Sequence, residues 1–315
     1  MDTGDATSRL ELEHARSHGL KPSPGRGATF WGVLRTARPR QWVKNLLVFG
    51  APATGGVLDE PAALTSALLA FIAFCLASSG MYFINDVADK REDQEHPEKR
   101  HRAIASNVVS SRTGVAVGAI SVVGSMVVAF AGGGLPLVSV IAGYVALVLT
   151  YTIFLRKVAL LDLAAIAGGF LLRAVAGGVA TGVALSEWFL IVASFGSLFL
   201  AAGKRHAEYI QLGGGGRNRR TTLGEYSESY LRYIQYTSST IAIAAYTLWA
   251  FEGSAGGTIW SALSIIPFVL GILRYGLLQE KGRGGTPEDA VLTDTSLLVF
   301  GASWVLLVAL GVYVT

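Results

Sequence analysis

The chain has 315 residues, 51% of them hydrophobic and only 15% charged, with a net charge of +4. Soluble domains carry about 25% charged residues, so an ordinary soluble globule is excluded, and so is a disordered chain. A single cysteine, Cys75, excludes an intrachain disulfide. It lies in an apolar run and reads as a small core residue.

Residues 1–29 are polar, with Gly, Ser, Pro and scattered charge, and lack the apolar stretch of a signal peptide. They read as a disordered cytoplasmic tail. Residues 30–315 read as one all-α domain, a multi-pass transmembrane helical bundle. Nine spans are expected, near 42–58, 62–85, 113–131, 135–155, 160–181, 187–203, 234–251, 258–278 and 295–314. From Thr113 to Leu155 there is no Asp, Glu, Lys or Arg. A span needs about 20 such residues, so this stretch fits two, divided at Gly132-Gly133-Gly134-Leu135-Pro136. Span one differs from the rest by containing Lys44, Asn45 and Pro52, and its lower half is expected at the interface.

Charge placement orients the bundle. With the N-terminus in the cytoplasm, the cytoplasmic segments and their span ends hold 25 of the 26 Lys and Arg residues. The outer loops carry Asp59, Glu60, Glu187 and Glu252 instead, and the C-terminus falls outside. Orientation on an anionic leaflet accounts for the net charge. No RNA or DNA motif occurs, so a lipid bilayer and not a nucleic acid is the expected partner.

The cytoplasmic loops carry the chemistry. If the helix of span two continues past the bilayer, Asn85, Asp89 and Asp93 fall at i, i+4 and i+8, with Asp86 close to the same face. Like charges at this spacing repel unless a hard divalent cation sits among them. Oxygen-only donors favour Mg²⁺, which commonly takes a few carboxylates plus phosphate oxygens. The alternative is a solvated acidic helix end. Pro97 is expected to end that helix. Lys99, Arg100 and Arg102 follow, suited to a metal-bridged diphosphate or to simple anchoring at the surface. Lys44 and Asn45 enter an apolar run, where a cation needs a partner. Arg156 and Lys157 lie between spans four and five, and Asp162 follows at the start of span five. Once Lys44 and Arg274 are counted with the span ends, Arg173 is the one basic residue inside a span, serving either substrate or a bundle partner. After span six come Lys204, Arg205 and Glu208, a second and more cationic cluster. The run Gly213 to Gly216 lacks the ending of a phosphate-binding loop and reads as a linker. The five histidines show no zinc-ligand spacing.

Asn85-Asp86-x-x-Asp89-x-x-x-Asp93 on such a protein resembles the first motif of the UbiA-type prenyltransferase superfamily. Arg38-Pro39-Arg40-Gln41-Trp42-Val43-Lys44-Asn45, His96-Pro97-x-Lys99-Arg100-x-Arg102 and Ile104-Ala105-Ser106 narrow it. So do Asp162, Gly169-Phe170-x-Leu172-Arg173-Ala174-x-Ala176-Gly177 and Gly203-Lys204-Arg205-x-x-Glu208. The set is similar to the branch of that superfamily that transfers phosphoribosyl groups, over residues 30 to 315.

The resemblance implies the UbiA-type fold and a Mg²⁺-dependent reaction. In it, 5-phosphoribosyl passes from phosphoribosyl diphosphate (PRPP) to decaprenyl (polyprenyl) phosphate in building the arabinan donor of the cell wall. It implies metal ligation by Asn85, Asp86, Asp89 and Asp93, with catalytic roles for the three aspartates and Lys44. It implies substrate contacts at Arg38, Gln41, Lys44, Asn45, Lys99, Arg100 and Arg102. Further contacts are implied at Tyr151, Arg156, Lys157, Asp162, Arg173, Lys204, Arg205 and Glu208. Asp162 and Glu208 either orient cations or bind ribose hydroxyls. The setting implied is a bacterial plasma membrane with the site on the cytoplasmic side; a homo-oligomer is compatible with it.

Two departures stand out. The usual second aspartate-rich motif is replaced by the basic cluster with its single acid. Ala103 and Asn107 also stand where proline and glycine usually flank Ile-Ala-Ser. Two other readings remain: a superfamily member joining a prenyl diphosphate to an aromatic acceptor, and a membrane transporter.

Overall fold

The computed structural model describes residues 26–211, 224–252, 257–281, 290–291 and 293–314. The expected linker at 213–216 and all but the end of the expected tail lie outside the described residues. Among the described residues every regular element is helical. In chain order these are α1 (Arg26–Ala37), a 3₁₀ segment (Pro39–Phe49), α2 (Gly50–Thr54), α3 (Pro61–Ala88) and α4 (Lys90–Glu95). Then come α5 (Ser111–Ile153), α6 (Leu161–Thr181), α7 (Glu187–Gln211), α8 (Glu228–Glu252), α9 (Ile259–Glu280) and α10 (Thr295–Tyr313).

Six described helices, α3, α5, α6, α7, α9 and α10, are long and apolar enough to cross a bilayer. The chain is a multi-pass membrane protein. The count of nine spans is not settled by these six helices, since α5 holds two of the expected spans and spans one and seven take other forms. Span one is no continuous α-helix. It is an 11-residue 3₁₀ segment followed by a five-residue helix. Pro39, Lys44-Asn45 and Pro52 explain the interruption. Span seven, expected near 234–251, lies within α8, whose first turns carry Glu228, Arg232 and Gln235. Spans three and four are the two halves of α5, whose helical geometry fails at Gly133 and Gly134. Gly134 has φ +63°, the left-handed region glycine reaches without penalty.

The start signals are local. Pro61 opens α3, where its missing N–H costs nothing. Thr258 caps α9 by accepting from Ser261 N at 3.1 Å, and Asp294 caps α10 by accepting from Leu297 N at 3.0 Å. Arg274 also bonds both Asp294 oxygens, at 3.1 and 2.7 Å. That pairing, with the cap, holds the Asp294 carboxyl below its ordinary range.

The described residues divide into two compact units, 26–39 with 82–119 in one, and 40–81 with those from 120 onward in the other. The core of the first is Phe83, Ala103, Ile104 and Val109, flanked by Val33, Ala37, Val87, Val108 and Val117. In the second, Val48, Ala70, Ala73, Phe74, Ala77, Ala129, Leu137, Ile141, Tyr144 and Ala176 form one cluster. Its alanines let helices approach closely, the usual basis of association in a membrane. Large apolar side chains at Ile120, Val123, Val127 and Phe130 on α5 are exposed instead. Their spacing puts them on one helix face, as contact with lipid requires.

Candidate active site

In the first unit, Asn85, Asp89 and Asp93 stack as expected. Asp89 N donates to Asn85 O and Asp93 N to Asp89 O, both at 2.8 Å, so the ladder continues across the junction of α3 and α4. Asp89 is the residue between the two helices. His96 is extended (ψ 133°) before Pro97, which ends α4. Asp86 and Asp93 are buried, 3% and 2% exposed. Buried carboxylates need partners, and two arginines provide them. Arg38 Nη2 donates to Asp86 Oδ1 at 2.7 Å, and its guanidinium lies 4.6 Å from the Tyr82 ring centroid. Arg102 Nη1 donates to Asp93 Oδ2 at 2.8 Å and to Asp86 Oδ1 at 3.3 Å. Arg38 adopts φ +53°, a strained conformation for a non-glycine residue that a site can hold in place. Lys99 and Arg100 occupy the short 3₁₀ turn Lys99–His101; Lys99 is half-buried and Arg100 exposed. At the loop's far end Asn107 has φ +63°. Asparagine tolerates this left-handed conformation, so the usual glycine is replaced without reshaping the turn.

Among the described residues no three His, Cys, Asp or Glu side chains converge as a ready-made metal set. Mg²⁺ rarely uses such a cage. It takes one or two carboxylates and completes its shell with water and substrate phosphate. The oxygen-only donors at positions 85, 86, 89 and 93 fit that mode.

The second unit holds two clusters. In one, Arg205 is 2% exposed and each of its nitrogens has a partner. Nε donates to Asp162 Oδ2 at 2.7 Å, Nη1 to Glu208 Oε2 at 2.6 Å and Nη2 to Tyr151 OH at 2.9 Å. Tyr226 OH donates to Asp162 Oδ1 and accepts from Leu160 N, both at 2.6 Å. Burial and the bond to Asp162 push the Tyr226 phenol above its ordinary range, so it stays a proton donor. Leu160 has φ +67°. Of the two roles expected for Asp162 and Glu208, the geometry displays the orienting of a cation. Lys204 is half-buried on α7; Arg156 and Lys157 sit on the 3₁₀ turn Leu155–Lys157, half-buried and exposed respectively.

The other cluster surrounds Arg173, 6% exposed. Nε donates to Asn45 Oδ1 at 2.7 Å, Nη1 to Gly169 O at 2.6 Å and Nη2 to Tyr144 OH at 3.0 Å. Its guanidinium also lies 4.7 Å from the Tyr144 ring centroid. Asn45 in turn donates to Cys75 Sγ at 3.3 Å. Arg173 and Asn45 thus tie the 3₁₀ segment to α5 and α6, the bundle partnership that was one of the two roles expected for Arg173. Arg173→Met is expected to lower stability by about 2–4 kcal/mol, since it orphans three buried acceptors, while leaving the KM for substrates unchanged. Thermal unfolding and steady-state kinetics of the variant check this. Gln41 and Lys44 are half-buried on the same 3₁₀ segment.

Tyr226 and Tyr144 escaped the sequence reading. Each acts across a long separation, Tyr226 being 64 residues from Asp162, and an isolated tyrosine in an apolar or loop stretch gives no local signal.

The helix order of a multi-pass bundle, with an acidic ladder and a basic cluster, agrees with the family expected from the motifs. The profile of the UbiA prenyltransferase family matches residues 46–288, and the chain belongs to that family. It is 39% identical over 291 residues to a decaprenyl-phosphate phosphoribosyltransferase of Corynebacterium glutamicum, covering 90% of this chain and 87% of that one. It is 40% identical over 289 residues to one from Mycobacterium tuberculosis, covering 89% and 94%. A solved UbiA homolog from Archaeoglobus fulgidus, bound to GPP and Mg²⁺, superposes with a TM-score of 0.68 at 17% identity. It covers 90% of this chain and all of that one, and shares the fold.

Proposed function

We propose that the chain transfers 5-phosphoribosyl from PRPP to decaprenyl phosphate, releasing diphosphate, in the supply of arabinose donors to a bacterial cell wall. Its 39–40% identity to decaprenyl-phosphate phosphoribosyltransferases over about nine-tenths of the chain carries this reading. The basic cluster supports it. A prenyl transfer between a diphosphate and an aromatic acceptor would call for a second acid-rich clamp, whereas here Arg205 is locked between Asp162 and Glu208.

The acceptor is already a phosphate anion, so no strong base is needed. One of its oxygens attacks the ribose anomeric carbon as the bond to diphosphate breaks; a single displacement inverts that centre. The hard part is the developing charge on the leaving group. Mg²⁺, where bound through Asn85, Asp86, Asp89 and Asp93, would neutralise that charge. Arg38 and Arg102 hold Asp86 and Asp93 in place. Lys44, Lys99, Arg100, Arg156, Lys157 and Lys204 are the cations suited to the remaining phosphate oxygens. Arg205 is oriented by three partners, so its part is to hold α7 and its neighbour Lys204. The positive-inside pattern puts the N-terminus and these cations in the cytoplasm and the C-terminus outside.

Purified protein given labelled PRPP, Mg²⁺ and decaprenyl phosphate is expected to yield a labelled, acid-labile lipid that EDTA abolishes. Absence of this product, with turnover of a prenyl diphosphate and an aromatic acid, would keep the fold and overturn the donor. Movement of solute across vesicles without either product would point to transport.

A further inference from the structure

The Gly203-Lys204-Arg205 stretch of α7 packs against a polar seam that the reaction does not use. Gln279 of α9 is 1% exposed and lies across Gly203; a Cβ at position 203 would overlap its side-chain amide. Gln235 of α8, 3% exposed, donates to Gln279 Oε1 at 3.2 Å. Three residues after Gly203, His206 is wholly buried, its Nε2 standing 3.7 Å from Glu228 Oε1 of α8. Arg232 of α8 joins Glu228 at 2.7 Å and Glu280 of α9 at 3.1 Å. Among the described residues, the buried side-chain nitrogens without a hydrogen-bond partner all belong to this seam, on His206, Arg232 and Gln279.

Burying two amides costs free energy that apolar side chains of similar volume would not. Stability alone would favour leucine or methionine at 235 and 279. A buried polar pair instead fixes how helices register, because slipping one past the other breaks the bond. Here the pair sits on the bare backbone that immediately precedes the basic motif. Two residues on, Arg205 meets three partners at 2.6–2.9 Å, an arrangement that tolerates only small movement of α7.

We infer that Gln279 is a positioning residue. Its amide, seated on Gly203 and held by Gln235, sets the register of α7 and so the placement of Lys204 toward the phosphates of PRPP. This rests on the PRPP reading given above.

The test is a mutant cycle on the full chain in detergent, comparing wild type, Gln279→Ala, Gly203→Ala and the double variant. Gln279→Ala removes the seated amide, and Gly203→Ala pushes it off its seat. Each is expected to raise the KM for PRPP roughly tenfold, as a misplaced binding group does. The KM for decaprenyl phosphate and kcat are expected to stay within about threefold. Because both changes remove one contact, the double variant is expected to be no worse than Gln279→Ala alone. If truncation unfolds the protein, the volume-conserving Gln279→Met carries the same expectation for the KM of PRPP. An unchanged PRPP KM in the Gln279 variants would overturn the inference, as would additive losses in the double variant. So would equal losses for both substrates that track a lower melting temperature. A wild type that does not turn over PRPP overturns the reaction assigned above instead. The same cycle read on melting temperature then decides the contact, and additivity there overturns it.

Discussion

Asp89→Asn is expected to lower Mg²⁺-dependent turnover by about 10³-fold while leaving the protein folded. The carboxylate stands at the junction of α3 and α4, one helical turn from both Asn85 and Asp93. Asparagine keeps the shape and the backbone bonds and removes one negative charge. Loss of the charge at position 89 removes one of the carboxylates proposed to hold a divalent cation. Metal assistance to a departing phosphate group is worth several kcal/mol, and about 4 kcal/mol corresponds to three decades in rate. Initial rates against Mg²⁺ concentration, with thermal unfolding as a control, measure it. Normal turnover in the variant would remove the proposed metal site.

Arg205→Met is expected to cost about 3–5 kcal/mol of stability, the usual consequence of breaking a buried ion pair from one side. Asp162 would lose its guanidinium partner and keep the Tyr226 hydroxyl, with its side chain 2% exposed. The Arg205→Met/Asp162→Asn double variant removes both charges and is expected to recover most of the loss. Unfolding midpoints in detergent for the three proteins test this. If Arg205→Met unfolds like the wild type, Arg205 is not the centre of that cluster.

Much of this was legible in the sequence because it is local. The acidic ladder depends on a four-residue period, and the backbone bonds at 85, 89 and 93 reproduce it. The helix stop at Pro97 and the glycine break in the long apolar run follow from the dihedral limits of single residues. What escaped was non-local or depended on competition. Span one looked apolar enough, but two prolines and a Lys-Asn pair were sufficient to turn most of it into a 3₁₀ segment. Arg173 could not be given a role without knowing that Asn45, 128 residues away, would accept from it. Arg102 was expected to face phosphate; the structure spends one of its nitrogens on two buried carboxylates.

The break at Gly133 and Gly134 also bears on how the bundle assembles. Only two residues leave helical geometry there, and Ala129 on one side and Leu137 and Ile141 on the other share a core cluster. A break of two residues leaves little chain to order between the halves, so its entropic cost is small. Contacts made across it are near in sequence, the kind that forms early and fast. The two halves can therefore associate as the chain enters the bilayer, giving later helices a surface to pack against.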